Sequence, residues 1–402
     1  MRILFLAPQP FYEDRGSPIA VKMVIELLSK RGDFVDLVTY HPGQSIAFDR
    51  INHIRTPKIS FIRTVRPGFS WQKLVCDLFM LLLAVRLVLI RRYDVIYAVE
   101  EAVYFAVLFR FLFKIPYVYD MDSSLVEQML DKYPALKPIS GVLQAFEALA
   151  IRNATATVVV CESLYRVAKV SDAAHAVLLY DAPHSSPTPA KTHPIDLRTV
   201  FSIKGSIVMY AGNLEYYQGL PLLLESFTCL IQQTSHADLV IVGGEPADIA
   251  RLSHLAEMLG IHGKVHFLGR VPYNELSGLL QQANLLCSPR IKGSNTPMKI
   301  YNYMHSGVAI VATELWTHRQ VLDETTARLV KAEPEAFAKA MYDLLVDDHE
   351  RQRLGAAGKR LLEARYSYDA FAKTFGEFMC WLECRVTVMV PAPEPLEIEI
   401  VP

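Results

Sequence analysis

The sequence lacks the features that mark secreted, membrane-spanning and nucleic-acid-binding proteins. Its 402 residues contain six cysteines and no CxxC pair, so neither a disulfide framework nor a zinc ribbon is indicated. The formal net charge of -1 is not the basic excess of a general nucleic-acid binder. No apolar run reaches the ~20 residues of a spanning helix, and the apolar start MRILFLAP is too short for a signal peptide. We therefore expect a cytoplasmic protein that has reduced cysteines in its core and no nucleic-acid partner.

What the chain does contain is a long alternation of strand and helix patterns. Short apolar segments such as RILFLAP, FVDLVTY and ATVVVCE are separated by helical patterns, and the alternation restarts at SIVMYAG and continues to VAIVAT. Strands that alternate with helices indicate a parallel sheet covered on both faces. The sequence therefore predicts an α/β protein with two Rossmann-like, doubly wound domains in tandem.

One break in this alternation sets the domain boundaries. The segment DAPHSSPTPAKTHP is rich in Pro, Ser and Thr, as is typical of a linker or hinge. We predict a first domain over residues 1–182 and a second over 183–366. A helical pattern at 367–385 is expected to pack back on the first domain, and the Pro-rich, acidic residues 386–402 are expected to form a loose tail.

The stretch SPRIKGSNTPMKIYNYMHSG gathers three cations and no acid between two apolar segments. Arg290 and Lys292 follow the end of a predicted strand, while Thr296 as N-cap and Pro297 as first helical residue predict a helix start. A helix N-terminus presents free N–H groups to an anion, and Lys299 can lean toward the same place. The pattern indicates a site for one or two phosphates. The alternative is an ordinary capped helix with solvated loop charges.

Two more loops have the same character. Gly16 precedes Ser and Pro at the start of the first helix, and GNLEYYQG, residues 212–219, precedes the first long helix of the second domain. Ligands of open parallel sheets bind at the carboxyl ends of the strands, where these loops lie. Three such loops favour the phosphate interpretation. A GxGxxG fingerprint is absent, which counts against a dehydrogenase.

These segments together resemble family-four glycosyltransferases of the GT-B architecture. The matching segments are YAGNLEYYQGLPLLLESF, LVIVGG, VHFLGRVPYNELSGLLQQANLLCSPR and PMKIYNYMHSGVAIVAT, with looser matches in YDVIYAVE and IPYVYDMDSSL. The resemblance implies two Rossmann-like domains that face each other across a cleft. It implies a nucleotide diphosphate sugar as donor on the second domain and an acceptor on the first.

The resemblance also assigns residues to the donor. Gly16 would lie near the donor phosphates and Arg270 beside the nucleobase. The residues themselves predict a tight strand-to-helix turn near the donor at Gly243, after LVIV, and place Lys292, Asn295 and Thr296 in the phosphate site before the predicted helix.

The chain departs from the family pattern at several of these positions. The family usually has Arg and Lys on the pyrophosphate where this chain has Asn213 and Gln218. It usually has two Glu residues, eight apart, where Ser294 and Asn302 stand, and a His where Asp122 ends the YDM strand.

The expected activity is retaining transfer of a hexose or N-acetylhexosamine to a hydroxyl, which the resemblance implies without a cofactor or an obligatory metal. Lys299 and Arg290 would stabilise the leaving diphosphate, and Asp122 would contact the transferred sugar or the acceptor. Two alternatives stay open, namely a sugar-nucleotide epimerase of the same architecture and a non-catalytic relative.

The acceptor side is indicated by residues 58–114. Segments such as SFIRTVRPGFSWQKL and DLFMLLLAVRLVLIRR place aromatic and aliphatic residues beside Lys and Arg, which suits a helix lying on an anionic membrane. An equal alternative is that helices flanking a parallel sheet are apolar for packing reasons. On the membrane interpretation, the protein is peripheral on the inner face of the plasma membrane. Its acceptor is then a glycan or lipid-linked molecule of cell-surface polysaccharide or glycolipid synthesis.

Overall fold

The protein is described by a computed structural model over residues 1–13, 16–44, 46–59, 62, 70–183 and 195–389. The chain forms two compact units. Unit 1 holds residues 1–160, 164–179 and the described residues from 372 onward, and unit 2 holds residues 161–163 and 180–371. Each unit is built on one parallel sheet, so the predicted pair of Rossmann-like α/β domains is confirmed.

The sheet of unit 1 has the order β3-β2-β1-β4-β5-β6-β7 among the described residues. Its strands are β1 (Arg2–Pro10), β2 (Phe34–Tyr40), β3 (Ile51–Arg55), β4 (Val95–Val99), β5 (Tyr117–Met121), β6 (Ala156–Val159) and β7 (Ala176–Leu178). The connecting helices are α1 (Gly16–Arg31), α2 (Trp71–Ile90), α3 (Val103–Phe113), α4 (Leu125–Lys132), α5 (Ser140–Asn153) and α6 (Glu162–Val170).

The sheet of unit 2 has the order β10-β9-β8-β11-β12-β13. Its strands are β8 (Ser206–Ala211), β9 (Ala237–Val242), β10 (Val265–Gly269), β11 (Leu285–Ser288), β12 (Ile310–Thr313) and β13 (Arg328–Val330). Its helices are α7 (Leu197–Phe201), α8 (Leu220–Gln233), α9 (Pro246–Met258), α10 (Tyr273–Leu280), α11 (Lys299–Ser306), α12 (Trp316–Arg319), α13 (Pro334–Val346) and α14 (Asp348–Arg365).

The central strands are mostly apolar because both of their faces are covered. In β8, Val208 and Tyr210 belong to one buried cluster, whereas Met209 and Ala211 belong to another. Alternate residues of a strand point to opposite faces of the sheet, so helices bury both faces. The loops at the carboxyl ends of the strands are therefore fixed by a rigid scaffold.

The last helix of the described chain is α15 (Tyr368–Met389). From residue 372 it belongs to unit 1, where Glu383 pairs with Arg31 at 2.7 Å and the ring of Trp381 stacks on His175 at 3.8 Å. The helix runs to Met389, so residues 386–389, which the sequence assigns to the tail, are helical. Most of the predicted linker, residues 184–194, and the rest of the predicted tail lie outside the described residues.

Three strands are not anticipated by the sequence patterns, namely β3, β7 and β13. Each lies at or next to an edge of its sheet and is half-buried, so it contains no continuous apolar run. The expectation that the cysteines are reduced core residues holds only in part. All are free thiols, but Cys229 is only partly buried and Cys380 and Cys384 are exposed.

Candidate functional site

Two loops of unit 2 meet at the carboxyl ends of β8 and β11. Residues 212–219 follow β8, and the backbone N–H of Ile291, after β11, donates to the carbonyl of Tyr217 at 2.9 Å. Gly219 has φ +73°, and a Cβ there would lie 1.9 Å from the carbonyl oxygen of Pro289. A side chain at this position would separate the loops, so glycine is what allows them to pack together.

Lys299, the first residue of α11, reaches into the junction of the two loops. Its Nζ lies 2.7 Å from the hydroxyl of Tyr210, 2.7 Å from Oε1 of Gln218 and 4.0 Å from the centre of the Tyr210 ring. Burial of the ammonium group, with Arg290 nearby, holds the pKa of Lys299 well below its usual value of 10.5. The lysine is thus held by neutral groups in a place that disfavours its charge.

Arg290 lies beside this lysine and is only 9% exposed. Its Nε donates to the carbonyl of Lys292 at 2.6 Å, and its guanidinium carbon lies 5.2 Å from the centre of the Tyr217 ring. Its own carbonyl accepts a hydrogen bond from Oγ1 of Thr313 at 2.5 Å, which anchors the backbone. Burial lowers the pKa of Arg290 from its usual value. The charge nevertheless remains, since a guanidinium keeps its proton in proteins.

Lys299 and Arg290 form a cation pair without a carboxylate partner among the described residues. All of their hydrogen-bond and ring partners there are neutral, namely Tyr210, Gln218, Tyr217 and the carbonyl of Lys292. Buried charges normally pair with the opposite charge. Two neighbouring cations that lack one create a local positive potential, which an anion would neutralise.

The turn after β9 packs against the loop that follows β8. Gly243 has φ +107°, and a Cβ on it would lie 2.2 Å from the carbonyl oxygen of Gly212. Its N–H donates to the carbonyl of Gly269 at 2.7 Å, while the N–H of Gly212 donates to Val242 at 3.0 Å. The predicted tight turn at Gly243 is thus present, and it fixes the backbone next to Lys299.

The helix start predicted at Thr296 is wrong. The helix α11 begins at Lys299, its N-cap is Met298 in helical geometry, and no side chain caps it. The chain enters through a tight turn in which the N–H of Ile300 donates to the carbonyl of Pro297 at 2.9 Å. Thr296 is therefore two residues too early to cap, and its buried hydroxyl lacks a hydrogen-bond partner in the described part of the chain.

The other predicted donor residues of unit 2 lie around this junction with different exposures. Gln218 is buried, whereas Asn213 and Lys292 are exposed. Ser294 hydrogen-bonds Asn295 through Oγ at 3.2 Å. Asn302 accepts from the hydroxyl of Tyr273 at 2.8 Å, so its amide is oriented by α10. Arg270 is exposed and paired with Glu245.

Gly16 and Asp122 belong to unit 1. Gly16 begins α1, and the next residue, Ser17, hydrogen-bonds the carboxylate of Asp122. Burial raises the pKa of Asp122 to about 6. Burial is the largest cause of the raised pKa of Glu100, and the charge of Asp122 is the second. The carboxylate of Glu100 accepts a hydrogen bond from the hydroxyl of Ser123 at 2.8 Å. The carboxyl ends of β4 and β5 thus present two neighbouring acids with raised pKa values.

Asp122 is not the cap of the helix that follows it. The N-cap of α4 is Ser124, whose hydroxyl accepts from the N–H of Glu127 at 3.2 Å. The hydroxyl of Ser124 in turn donates to the buried Glu147 at 3.0 Å. Asp122 therefore does not cap α4, and the hydrogen bond that it accepts comes from Ser17.

His318 is a structural residue. Its Nδ1 lies 2.8 Å from the carbonyl of Thr313 and its Nε2 2.8 Å from Oγ of Ser288. Burial lowers its pKa to about 3, so the ring is neutral at physiological pH. It supports the strand ends from which Arg290 extends.

Sequence reasoning missed the aromatic contacts of the cation pair. Tyr210 and Tyr217 hold Lys299 and Arg290 by ring contacts and a hydrogen bond. The only signal is their position within YAGNLEYYQG, at the strand end that already carries a predicted anion loop.

Comparison with known proteins bears on the same region. Residues 198–361 match the family model for glycosyl transferases group 1. A phosphatidyl-myo-inositol mannosyltransferase of Mycobacterium tuberculosis is 29% identical over 176 residues, which is 42% of this chain and 45% of the relative. A D-inositol 3-phosphate glycosyltransferase of Corynebacterium urealyticum is 27% identical over 44% of this chain and 43% of the relative. The chain thus spans less than half the length of these curated relatives.

Solved structures extend the likeness to the whole fold. Sucrose-phosphate synthase from Thermosynechococcus elongatus matches with a TM-score of 0.76 and 20% identity, over 96% of this chain and 99% of the other. Anabaena HepE, solved with UDP and glucose, matches with a TM-score of 0.70 and 15% identity over 95% and 100%. At these identities the likeness shows the fold alone. The expected GT-B architecture is confirmed as a fold, and the match to glycosyl transferases group 1 covers residues 198–361 of the chain.

Proposed function

We propose that the protein is a retaining glycosyltransferase that moves a sugar from a nucleotide diphosphate sugar to a hydroxyl of a glycan or lipid-linked acceptor. The observation that carries this proposal is the pair of Lys299 and Arg290, two cations with only neutral partners among the described residues. They lie at the carboxyl ends of two parallel strands in a group 1 domain.

The charge of the donor explains why these residues matter. The diphosphate gains negative charge as the glycosidic bond breaks, and fixed cations stabilise that charge best where water is excluded. Arg290 can offer several N–H donors, and Lys299 one compact charge. No proton transfer to the leaving group is required for this step.

The acceptor side of the reaction is assigned to unit 1. Asp122 accepts a hydrogen bond from Ser17, and burial raises its pKa to about 6, so it is ionised at neutral pH and can accept a hydrogen bond from a sugar or acceptor hydroxyl. Burial, and after it the charge of Asp122, raises the pKa of the neighbouring Glu100, which is therefore protonated more readily than an exposed glutamate.

The names of the relatives narrow the substrates that should be tried first. HepE was solved with UDP-glucose, and a mannosyltransferase named for phosphatidyl-myo-inositol acts on a lipid. Donors carrying glucose or mannose, and acceptors carried on a lipid, are therefore the first candidates. The protein would work in the cytoplasm, at the inner face of the plasma membrane.

The test begins with the donor. Thermal unfolding is measured with UDP, GDP, ADP and TDP, because a ligand at ~100 times its Kd adds about 2.7 kcal/mol to the free energy of unfolding. The stabilising nucleotide then identifies the sugar nucleotide to be used in a transfer assay. If none of the four raises the unfolding temperature, the proposed donor site is wrong.

The transfer assay separates the remaining alternatives. Product on an acceptor, with the anomeric configuration of the donor, supports retaining transfer. A new sugar nucleotide formed without any acceptor would indicate an epimerase. Tight nucleotide binding with neither product, across the donors and acceptors tried, would indicate a non-catalytic relative.

A further inference from the structure

The solvent side of α2 is apolar. Trp71, Leu74, Leu78, Leu82 and Leu89 are each between 50% and 66% exposed. Their spacings of three, four, four and seven residues place them on one face of the helix. A helix that covers a sheet normally turns polar side chains to water, so this face is unusual.

Two further helices of unit 1 continue this surface. In α3, Phe111 and Leu112 are 54% and 63% exposed, and in α5, Val142 and Phe146 are 57% and 56% exposed. A groove of about 390 Å³ along α5 is lined by Gly141, Val142, Ala145, Phe146 and Leu149. We call the exposed faces of α2, α3 and α5 the apolar layer.

The three helices of the apolar layer lie on the same side of the sheet. The helix α2 packs on β1 and β2, α3 on β4 and β5, and α5 on α3. Each helix crosses from one parallel strand to another in the same direction along the sheet, and such crossovers are right-handed. Contiguous apolar surfaces beyond a few hundred Å² mark interaction sites.

Charges on these helices have one sign where they face water. None of α2, α3 and α5 has an exposed acid: Asp77 accepts a hydrogen bond from Tyr40, and Glu147 is 5% exposed. The cations lie in or just after the helices, at Arg86, Arg92, Arg110 and Lys114.

From this we infer that the apolar layer docks on an anionic lipid bilayer, with the three helices lying along its surface. In the described residues no helix is long and apolar enough to span a membrane. Apolar side chains would enter the interface, and the arginines and Lys114 would reach the acidic headgroups. The inference deepens the acceptor side of the proposed function, because a lipid-linked acceptor lies in that surface.

A second copy of the chain fits this surface less well. A two-fold contact would place the apolar layer against itself and bring its cations together without an acid between them. An anionic bilayer neutralises those same cations, so we commit to the bilayer.

The test is co-sedimentation of the full chain with vesicles of phosphatidylcholine alone or with phosphatidylglycerol at about one third. The variant Leu78→Glu/Leu82→Glu puts two carboxylates on the apolar layer. The matched control Met258→Glu/Val346→Glu changes two side chains that are 66% and 63% exposed in unit 2. We expect at least tenfold weaker binding for the first variant and wild-type binding for the second. Binding should require phosphatidylglycerol and fall as salt rises.

Several outcomes would overturn the inference. One is absence of binding to anionic vesicles, another is equal binding to neutral ones, and a third is unchanged binding by Leu78→Glu/Leu82→Glu. A dimer in light scattering that this variant dissociates, without vesicle binding, would assign the surface to a second copy. Nucleotide-dependent stabilisation, measured on the same samples, reports the donor site in unit 2 separately. A failure of lipid binding is therefore distinguishable from a failure of the proposed function.

Discussion

Replacing Lys299 by Met tests the donor site most directly. Methionine keeps most of the volume of the side chain and removes its charge. In the wild type, the ammonium group touches Tyr210 and Gln218 at 2.7 Å each and has no carboxylate partner among the described residues. The substitution therefore removes the group that we assign to the diphosphate while leaving every ion pair of the described residues in place.

The expected magnitudes differ for binding and for stability. A hydrogen bond to a charged group contributes about 1.5–3 kcal/mol, so the Kd for the nucleoside diphosphate should rise about 10- to 150-fold. The free energy of unfolding should change by less than about 1 kcal/mol, because Gln218 loses a donor but a buried, unpaired cation is also removed. A lysine with a purely structural role would show the reverse.

The lowered pKa of Lys299 predicts that nucleotide binding is linked to the uptake of a proton. Because its folded pKa lies well below 10.5, the free protein releases this proton at lower pH than an exposed lysine does. A bound diphosphate favours the ammonium form and raises the pKa, so binding takes up a proton between the two pKa values and weakens as pH rises through them. The unfolded chain keeps this proton up to about pH 10.5. Between the pKa of Lys299 in the folded protein and that value, the free energy of unfolding of the wild type should therefore rise with pH relative to that of Lys299→Met.

Calorimetry in paired buffers measures both effects. The comparison is repeated at several pH values from about 8 to 10, where a phosphate with a second pKa near 6 is fully ionised and does not contribute protons. The binding enthalpy of the wild type should then depend on the ionisation enthalpy of the buffer, and that of Lys299→Met should not. The control Lys339→Met removes an exposed lysine paired with Asp343 and should behave as the wild type.

A double variant tests the geometry further. In Gln218→Lys/Lys299→Met the cation moves to the loop position where the family usually has it, and nucleotide affinity should recover in part. Gln218→Lys alone should bind less tightly, because it sets two ammonium groups against each other. The reasoning is refuted if Lys299→Met binds the nucleotide as tightly as the wild type, with the same buffer dependence.

Three further substitutions test the loop junction, the acceptor side and the scaffold. Gly219→Ala adds a Cβ at a residue with φ +73°, where it would lie 1.9 Å from the carbonyl oxygen of Pro289. The substitution should lower the free energy of unfolding by about 1–3 kcal/mol and weaken nucleotide binding in calorimetry. Asp122→Asn should slow transfer at least about tenfold without changing nucleotide affinity, and should remove the loss of wild-type activity as pH falls through about 6. Asp36→Asn breaks charge-assisted bonds at 2.6 Å to three groups and should cost about 2–3 kcal/mol in chemical denaturation. That stabilisation depends on a pKa lowered from 3.8, so it should fade as pH drops below this value, whereas the exposed Asp343→Asn should cost less than about 0.5 kcal/mol.

Most of the fold could be predicted from the sequence because its central strands are buried on both faces. Segments such as FVDLVTY and ADLVIV are mostly apolar, and they form β2 and β9. The edge strands β3, β7 and β13 carry no such signal. In β3 the residues INHIR are half-buried, since β2 is the only strand that pairs with it among the described residues.

The candidate site could be predicted only through its charged residues. Lys299 and Arg290 stand out because three cations occur in one loop without an acid. Their partners could not be inferred, because Tyr210 and Gln218 lie 89 and 81 residues away from Lys299 along the chain. The cap predicted at Thr296 fails for a related reason, since the tight turn through Pro297 depends on packing that local propensity does not contain.

The contact between Gln218 and Lys299 gives the departures from the family pattern a physical meaning. A lysine at position 218 would place its ammonium group next to that of Lys299, and the two charges would repel each other in a desolvated site. Glutamine instead presents a carbonyl oxygen that accepts from Lys299 at 2.7 Å. The amide therefore orients a cation supplied by α11, and the loop after β8 accepts a hydrogen bond from that cation without carrying a charge of its own at position 218. Positions 218 and 299 are best understood together: the cation is at position 299, and position 218, where the family usually has a cation, carries the acceptor that orients it.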